Sequence, residues 1–244
     1  AIASIPPKKD WPQIAEYYRA LASAGLPVIV YYIPGVTGMT AGMAQLRTLL
    51  DIPGVEGIKM SDWNIFLMHS VCREYPEKVV YSGFDEMFVP GLLYGADGCI
   101  GTWMNLVPDL YAKVYARVRD GQADSVRAAM DEFNDFLAVG WDYGILDAFE
   151  ELMRAKGYAQ RCFRRPSAWN PGKLPKAALD DMLARLSHLE TLAAELRARR
   201  FHHRRTTMQY VRIPGTELRV SRICLGTMTV GSPVGEGDAL RRHP

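Results

Sequence analysis

A lysine interrupts the apolar stretch EGIKMSD at residues 56–62. In an extended segment side chains alternate, so Gly57, Lys59 and Ser61 share one face and Ile58 and Met60 the other. An apolar surround penalises an ammonium and favours the neutral amine. A neutral amine is a nucleophile toward a carbonyl carbon, which is a chemical reason to place one there. The competing reading is a strand-end lysine whose stem packs on apolar surface while its head reaches water. Tyr31 closes the preceding apolar run on the face of Ile29 and Ile33, where a phenol could relay a proton to and from a carbonyl or carbinolamine. It could equally anchor the rim of a core. The next run ends in SGFDE. Gly83 there lets a ligand approach the backbone, and the adjacent carboxylates Asp85 and Glu86 suit the hydroxyls of a polyol. They also suit an N-cap and a first-turn acid of the following helix. The last run ends in Gly101 and Thr102, a small residue and a hydroxyl. Successive strand ends thus offer a phenol, an amine, carboxylates and a hydroxyl.

These residues need elements to hold them. Helical periodicity covers residues 11–24, with Gly25 as the stop. The run LPVIVYYIP at 26–34 is apolar, β-branched and aromatic throughout, as in strands covered on both faces. A helix over 40–50 opened by Thr40, a strand over 54–60, a helix over 62–74, a strand over 78–83, a short helix carrying Pro90 and a strand over 98–103 follow. Strand and helix alternate with short loops, which implies parallel strands and right-handed crossovers. The repeat suits a (β/α) barrel, whose active site lies at the C-terminal ends of its strands. From residue 108 the strands stop. Helices are expected over 108–119, 122–139, 144–156 and 176–200, with Gly121, Gly140 and Gly157 as breaks.

The 244 residues carry a formal net charge of +2, too mild to argue for a nucleic-acid partner. The basic cluster RARRFHHRR at 197–205 reads as a solvated helix end. No apolar run reaches the length of a membrane span, and the N-terminal residues do not pattern as a signal peptide. Cys72, Cys99, Cys162 and Cys224 form no CxxC pair and read as reduced thiols of a cytoplasmic protein. His202 and His203 are adjacent, their side chains diverge, and no metal site is expected.

The segments VYYIPGVTG, GIKMSDWN and YSGFDEMFVPGLLYGADGCIGTWMN together resemble the dihydrodipicolinate synthase / N-acetylneuraminate lyase family over about residues 1–190. The resemblance implies an α/β fold, a (β/α)8 TIM barrel with a C-terminal helical extension, and a homo-oligomer, usually a tetramer. It implies a Schiff base between a lysine and pyruvate or another 2-oxo acid. Lys59 matches that lysine, and Tyr31 matches the family's tyrosine. The closest branch implied is the lyase, in which Gly83, Asp85 and Glu86 match a segment that binds the sugar acid, and Ser61 and Thr102 match hydroxyl-bearing positions. The synthase branch would place an arginine where Val36 stands. Asn64 in SDWN replaces an aspartate, which leaves the sugar open. The implied function is class I cleavage or formation of a C–C bond between pyruvate and a sugar-type aldehyde, in which the iminium replaces a Lewis acid and no cofactor is called for. The alternatives are another 2-oxo acid aldolase or dehydratase of the same family, or a non-catalytic fragment that only associates with barrel subunits.

The likeness begins at about the fourth of eight barrel strands, so an incomplete barrel holding strands 4–8 is expected over 1–107, helices over 108–200, and a junction and tail over 201–244. Activity of such a chain is expected to be impaired. Within the tail, MQYVRIPGTELRVSRICLGTMTVG at 208–231 resembles the N-terminus of an aldo-keto reductase, in which a short hairpin precedes the first barrel strand.

Overall fold

The computed structural model describes residues 1–7, 10–158, 174–198, 210–212 and 219–221. Five strands, β1 (Ile2–Ser4), β2 (Val28–Tyr32), β3 (Val55–Met60), β4 (Val79–Ser82) and β5 (Gly98–Cys99), pair in sequence order. Every pairing is parallel. Between them run α1 (Trp11–Ala22), α2 (Pro34–Thr37), α3 (Met43–Leu50), α4 (Ile65–Glu74) and α5 (Phe88–Leu93). The fold is α/β and the strand–helix alternation is that of a barrel. Among the described residues β1 and β5 each pair on one side only.

Local chemistry explains the element ends. Asp10 caps α1 by accepting the Gln13 N–H at 3.0 Å, and Pro12 fits the first turn, where its missing N–H costs nothing. The helix expected over 40–50 starts later, at Met43. The Ala41 N–H is instead taken by the Tyr32 hydroxyl at 2.9 Å, which holds that backbone out of the helix. Asn64 caps α4 by accepting the Leu67 N–H at 3.0 Å. The strand expected over 98–103 stops at Cys99, because the Thr102 and Trp103 N–H groups turn to the Asp85 carboxylate and a 3-10 turn follows at Trp103–Asn105.

The helical part holds α6 (Pro108–Arg119), a 3-10 turn at Ala123–Val126, α7 (Arg127–Tyr143), α8 (Ile145–Ala155) and α9 (Lys176–Ala198). The break expected at Gly140 falls instead at Gly144, whose φ is 96°. Gly140 lies inside α7, and its missing side chain serves packing: a Cβ there would stand 2.8 Å from Cζ2 of Trp103.

Two apolar cores result. One lies between the sheet's outer face and α1, α3 and α4, and is built from Val28, Val30, Ile58, Met60 and Val80 against Tyr18, Leu46, Leu50 and Val71. The other gathers Trp103, Phe133, Phe136, Phe149, Leu186 and their neighbours from α5 to α9. Trp103 is its centre, meeting Phe136 and Phe149 edge-on at 5.2 and 5.9 Å. Lys113 and Arg117 of α6 donate to the carbonyls of Ala193 and Leu196, which fastens the last turns of α9 to α6. Two short strands, β6 (Tyr210–Arg212) and β7 (Arg219–Ser221), pair antiparallel as a hairpin requires. The rest of the reductase-like tail, Cys162, Cys224, His202 and His203 lie outside the described residues. Among the described residues no helix is long and apolar enough to cross a membrane.

Candidate functional site

The outer-face core takes Val28, Val30, Ile58, Met60 and Val80. The alternate residues Ile29, Tyr31, Gly57, Lys59, Val79 and Tyr81 therefore face the other way, into the concave side of the sheet. Register then aligns Tyr31 with Lys59 and Lys59 with Tyr81. The amine is thus flanked by two phenol-bearing positions in one row. Lys59 is buried at 6% exposure, and its Nζ donates to Tyr31 Oη at 2.7 Å. Nζ also lies 4.0 Å from the Tyr31 ring centroid. The structure brings the sequence-predicted pair together. Tyr81 was missed, although the alternation in KVVYSG puts it on the same face as Val79, in the same way that GIKMS exposed Lys59.

Ser61 continues that face just past the end of β3. Its Oγ is fully buried and is the one buried side-chain oxygen or nitrogen among the described residues without a hydrogen-bond partner. A buried hydroxyl left unpaired costs free energy unless a ligand or water completes it. A Cβ on Gly83 would stand 2.0 Å from Ser61 Oγ and 2.8 Å from its backbone nitrogen. On the side where a Cβ would stand, the space beside Gly83 is therefore filled by Ser61.

Asp85 also differs from the expectation of a polyol-binding carboxylate. It is 5% exposed and turned inward. Its Oδ1 accepts from the Tyr111 hydroxyl at 2.5 Å, and its Oδ2 accepts from the Thr102 N–H at 2.9 Å and the Trp103 N–H at 3.4 Å. Burial pushes its carboxyl up to about 6, against the lowering effect of these donors. Burial and the Asp85 charge push the Tyr111 phenol well above its ordinary value. Asp85 does not cap the next helix either; Met87 occupies that position without a side-chain bond. A Cβ on Gly101 would fall 2.1 Å from Asp85 Oδ1, so that glycine makes room for the carboxylate and not for a ligand. Asp85, Gly83 and Gly101 thus pack closely against neighbouring groups at the strand ends.

Glu86 points the other way. Its Oε1 accepts from the Trp141 indole N–H of α7 at 2.6 Å. Trp63, in the loop after β3, stacks on Phe84 with centroids 4.5 Å apart, and lies 6.4 Å from Trp141. Trp63 and Trp141 remain 55% and 49% exposed. This aromatic rim was also missed. Trp63 and Phe84 were visible in the quoted motifs, but Trp141 lies 55 residues from Glu86 and no local pattern joins them. Val36, where the synthase branch would place an arginine, is 65% exposed in α2. Among the described residues no group of three or more His, Cys, Asp and Glu is placed to hold a metal ion.

Residues 6–171 match the Dihydrodipicolinate synthetase family. The chain belongs to that family. It is 36% identical over 140 residues to the N-acetylneuraminate lyase of Enterobacter sp. (strain 638), covering 57% of this chain and 47% of that protein. It is 35% identical over 121 residues to the N-acetylneuraminate lyase of Escherichia coli (strain K12 / DH10B), covering 49% and 41%. The chain thus spans less than half the length of these curated relatives. In three dimensions it resembles CdNal from Clostridium difficile in complex with mannosamine, with TM-score 0.66 and 22% identity over 79% of this chain and 65% of that one. It also resembles N-acetylneuraminate lyase from Fusobacterium nucleatum complexed with pyruvate, with TM-score 0.64 and 21% identity over 78% and 63%. A sialic acid aldolase of Ruminococcus gnavus, solved as a catalytic lysine mutant, gives TM-score 0.65 and 20% identity over 81% and 65%. These likenesses establish the fold. Family membership accounts for the parallel strands and the helices that follow them.

Proposed function

We propose that this chain carries the Schiff-base centre of a lyase-type aldolase, which joins or separates a pyruvate-like 2-oxo acid and an aldehyde. One observation carries the reading: a buried amine, Lys59 Nζ, 2.7 Å from a phenol on the next strand, Tyr31. The lyase names of the relatives and the catalytic lysine of the Ruminococcus gnavus neighbour support it. In the cleavage direction the Lys59 amine attacks C2 of the 2-oxo acid, and the carbinolamine loses water to give an iminium. Tyr31 relays the proton of the C4 hydroxyl, the C3–C4 bond breaks, and its electron pair passes into the iminium to form an enamine. The aldehyde leaves, C3 takes up a proton, and water hydrolyses the iminium to release pyruvate and the free amine.

Ser61 Oγ is an uncommitted donor on the Lys59 face, and Glu86 and Thr102 are the polar groups at the neighbouring strand ends that meet the rest of the substrate. Asp85, Gly83 and Gly101 position those groups. The substrate in this reading is a sugar acid such as N-acetylneuraminate, and the compartment is the cytoplasm, where the free thiols of Cys72 and Cys99 persist. The test is pyruvate release from N-acetylneuraminate and from 2-keto-3-deoxy sugar acids. Release that disappears in Lys59→Ala is the expected result. No release from any of them contradicts the reading, and release only from the latter moves the chain to another 2-oxo acid aldolase.

A second reading concerns assembly. The likeness to the lyase relatives favours association with further copies of the chain. Light scattering coupled to size exclusion should report a homo-oligomer, and a monomer at micromolar concentration removes this reading.

A further inference from the structure

The Tyr31 phenol is only as well placed as the backbone that carries it. Successive residues of a paired strand turn their backbone groups to opposite neighbours. Tyr32 turns toward β3, where its carbonyl accepts the Ser61 N–H at 2.8 Å. Tyr31 therefore turns toward β1, which pairs with β2 only as far as Ser4 opposite Val30. Beyond Ser4 the chain runs through Ile5 into Pro6 and Pro7, which have no N–H to continue a ladder. A side chain from α1 closes this end. The Tyr18 hydroxyl accepts from the Tyr31 N–H at 3.0 Å and donates to the Ser4 carbonyl at 2.8 Å. Tyr18 is fully buried in the outer-face core, and close packing there fixes where its hydroxyl lies. Burial also pushes this phenol above its ordinary value, which keeps on it the proton that Ser4 accepts. The neighbouring Tyr17 grips the β1 side alone: its hydroxyl meets Ser4 Oγ at 2.5 Å and the Ile5 carbonyl at 3.5 Å. Two phenols of one helix thus hold the same short strand, and one of them also holds the Tyr31 backbone. The 2.7 Å bond from Lys59 Nζ to Tyr31 Oη has little slack, since a displacement of about 1 Å can cost a reaction about a hundredfold in rate.

We propose that Tyr18 is a positioning residue for the Lys59 centre: through its bond to the Tyr31 N–H, its hydroxyl sets the reach of the Tyr31 phenol to the Lys59 amine. The proposal rests on the Lys59 reading for its effect on turnover, and on geometry alone for its effect on where Tyr31 stands. Tyr18 itself touches neither the amine nor the phenol hydroxyl and takes no part in proton transfer.

The test compares Tyr18→Phe with Tyr17→Phe in the full chain, since each removes one hydroxyl from the same helix and only the first loses a bond to Tyr31. Borohydride reduction in pyruvate first reports the Lys59 reading alone. Carbon NMR of Cζ-labelled tyrosine then follows the Tyr31 ring, assigned by its loss in Tyr31→Phe, and its shift in Lys59→Ala calibrates contact with the amine. The Tyr31 resonance is expected to move toward its Lys59→Ala position in Tyr18→Phe and to stay in place in Tyr17→Phe. Pyruvate release from N-acetylneuraminate is expected to fall about tenfold in Tyr18→Phe, with the Lys59 adduct still trapped, and to hold in Tyr17→Phe. An unmoved resonance in Tyr18→Phe, equal movement in both variants, or a moved resonance with an unchanged release rate overturns the proposal. Equal loss in both variants also overturns it, because a helix that only braces β1 would act through either hydroxyl. If the wild type forms no adduct, the Lys59 reading falls; there, and wherever no release is measurable, the resonance alone decides. Should Tyr18→Phe lose its helical circular dichroism, para-aminophenylalanine replaces Tyr18 instead. Its amino group still donates to Ser4 but accepts poorly from Tyr31, and the same outcomes uphold or overturn the proposal.

Discussion

The sheet and the helices that follow it divide the labour unequally. The concave face of β2 to β4 carries the proposed reactive pair, Lys59 and Tyr31, on neighbouring strands in register. The helical part carries the largest aromatic core, centred on Trp103, and reaches back with two side chains, Tyr111 to Asp85 and Trp141 to Glu86. Adjacent carboxylates are thereby given opposite fates: Asp85 is drawn inside by α6 and Glu86 is held at the rim by α7. Under the proposed reading, groups on one part are aimed by packing on the other. Loss of a reactive group should leave the fold intact, and loss of a packing group should unsettle both.

The sharpest separation is expected from Lys59→Ala. It should abolish aldol activity while leaving the thermal midpoint at or above that of the wild type, since a buried amine is exchanged for a methyl group. A large fall in the midpoint would show that Lys59 is structural and break the division. Tyr31→Phe should follow, with the rate down about 10²–10⁴-fold, the usual worth of a positioned proton donor, and with the amine still able to form an adduct. Equal loss of adduct and of turnover would assign Tyr31 to holding the lysine and not to proton relay.

Trp103→Ala tests the other part. Removing a fully buried indole from between Phe136, Phe149 and Gly140 should cost about 3–5 kcal/mol in denaturant unfolding. A cost below 1 kcal/mol would mean the helical core does not depend on it. Asp85 gives the smallest and most specific effect. Its carboxyl lies at about 6 in the fold against an ordinary 3.8, so the folded state holds the proton more tightly than the unfolded chain. The stability this contributes is complete below about pH 4 and lost as pH rises through about 6, amounting to at most about 3 kcal/mol. Urea titrations across that window should show the wild type losing stability relative to Asp85→Asn. Parallel curves would show that Asp85 is already ionised in the fold at pH 4.

Much of the strand half was legible because it follows short-range rules. Alternation in GIKMS and VYYIP put Lys59 and Tyr31 on facing positions, and α6 falls on the residues expected for it. The mismatches share a cause, in that a distant group changed the local preference. Tyr32 took the Ala41 N–H and delayed α3; Asp85 took two N–H groups and shortened β5; Trp103 needed Gly140 as a hollow and not as a stop. Asp85 and Glu86 are indistinguishable in sequence, and only Tyr111 and Trp141, 26 and 55 residues away, separate their roles. The same distance hid the aromatic rim.

The account rests on the amine at Lys59, and mass spectrometry addresses it directly. The full chain is incubated with pyruvate, reduced with borohydride, weighed intact and mapped by peptides. One reduced pyruvate unit on Lys59, absent from Lys59→Ala, is the predicted result. An unmodified chain, or a unit carried on another lysine, would contradict the aldolase reading of this site.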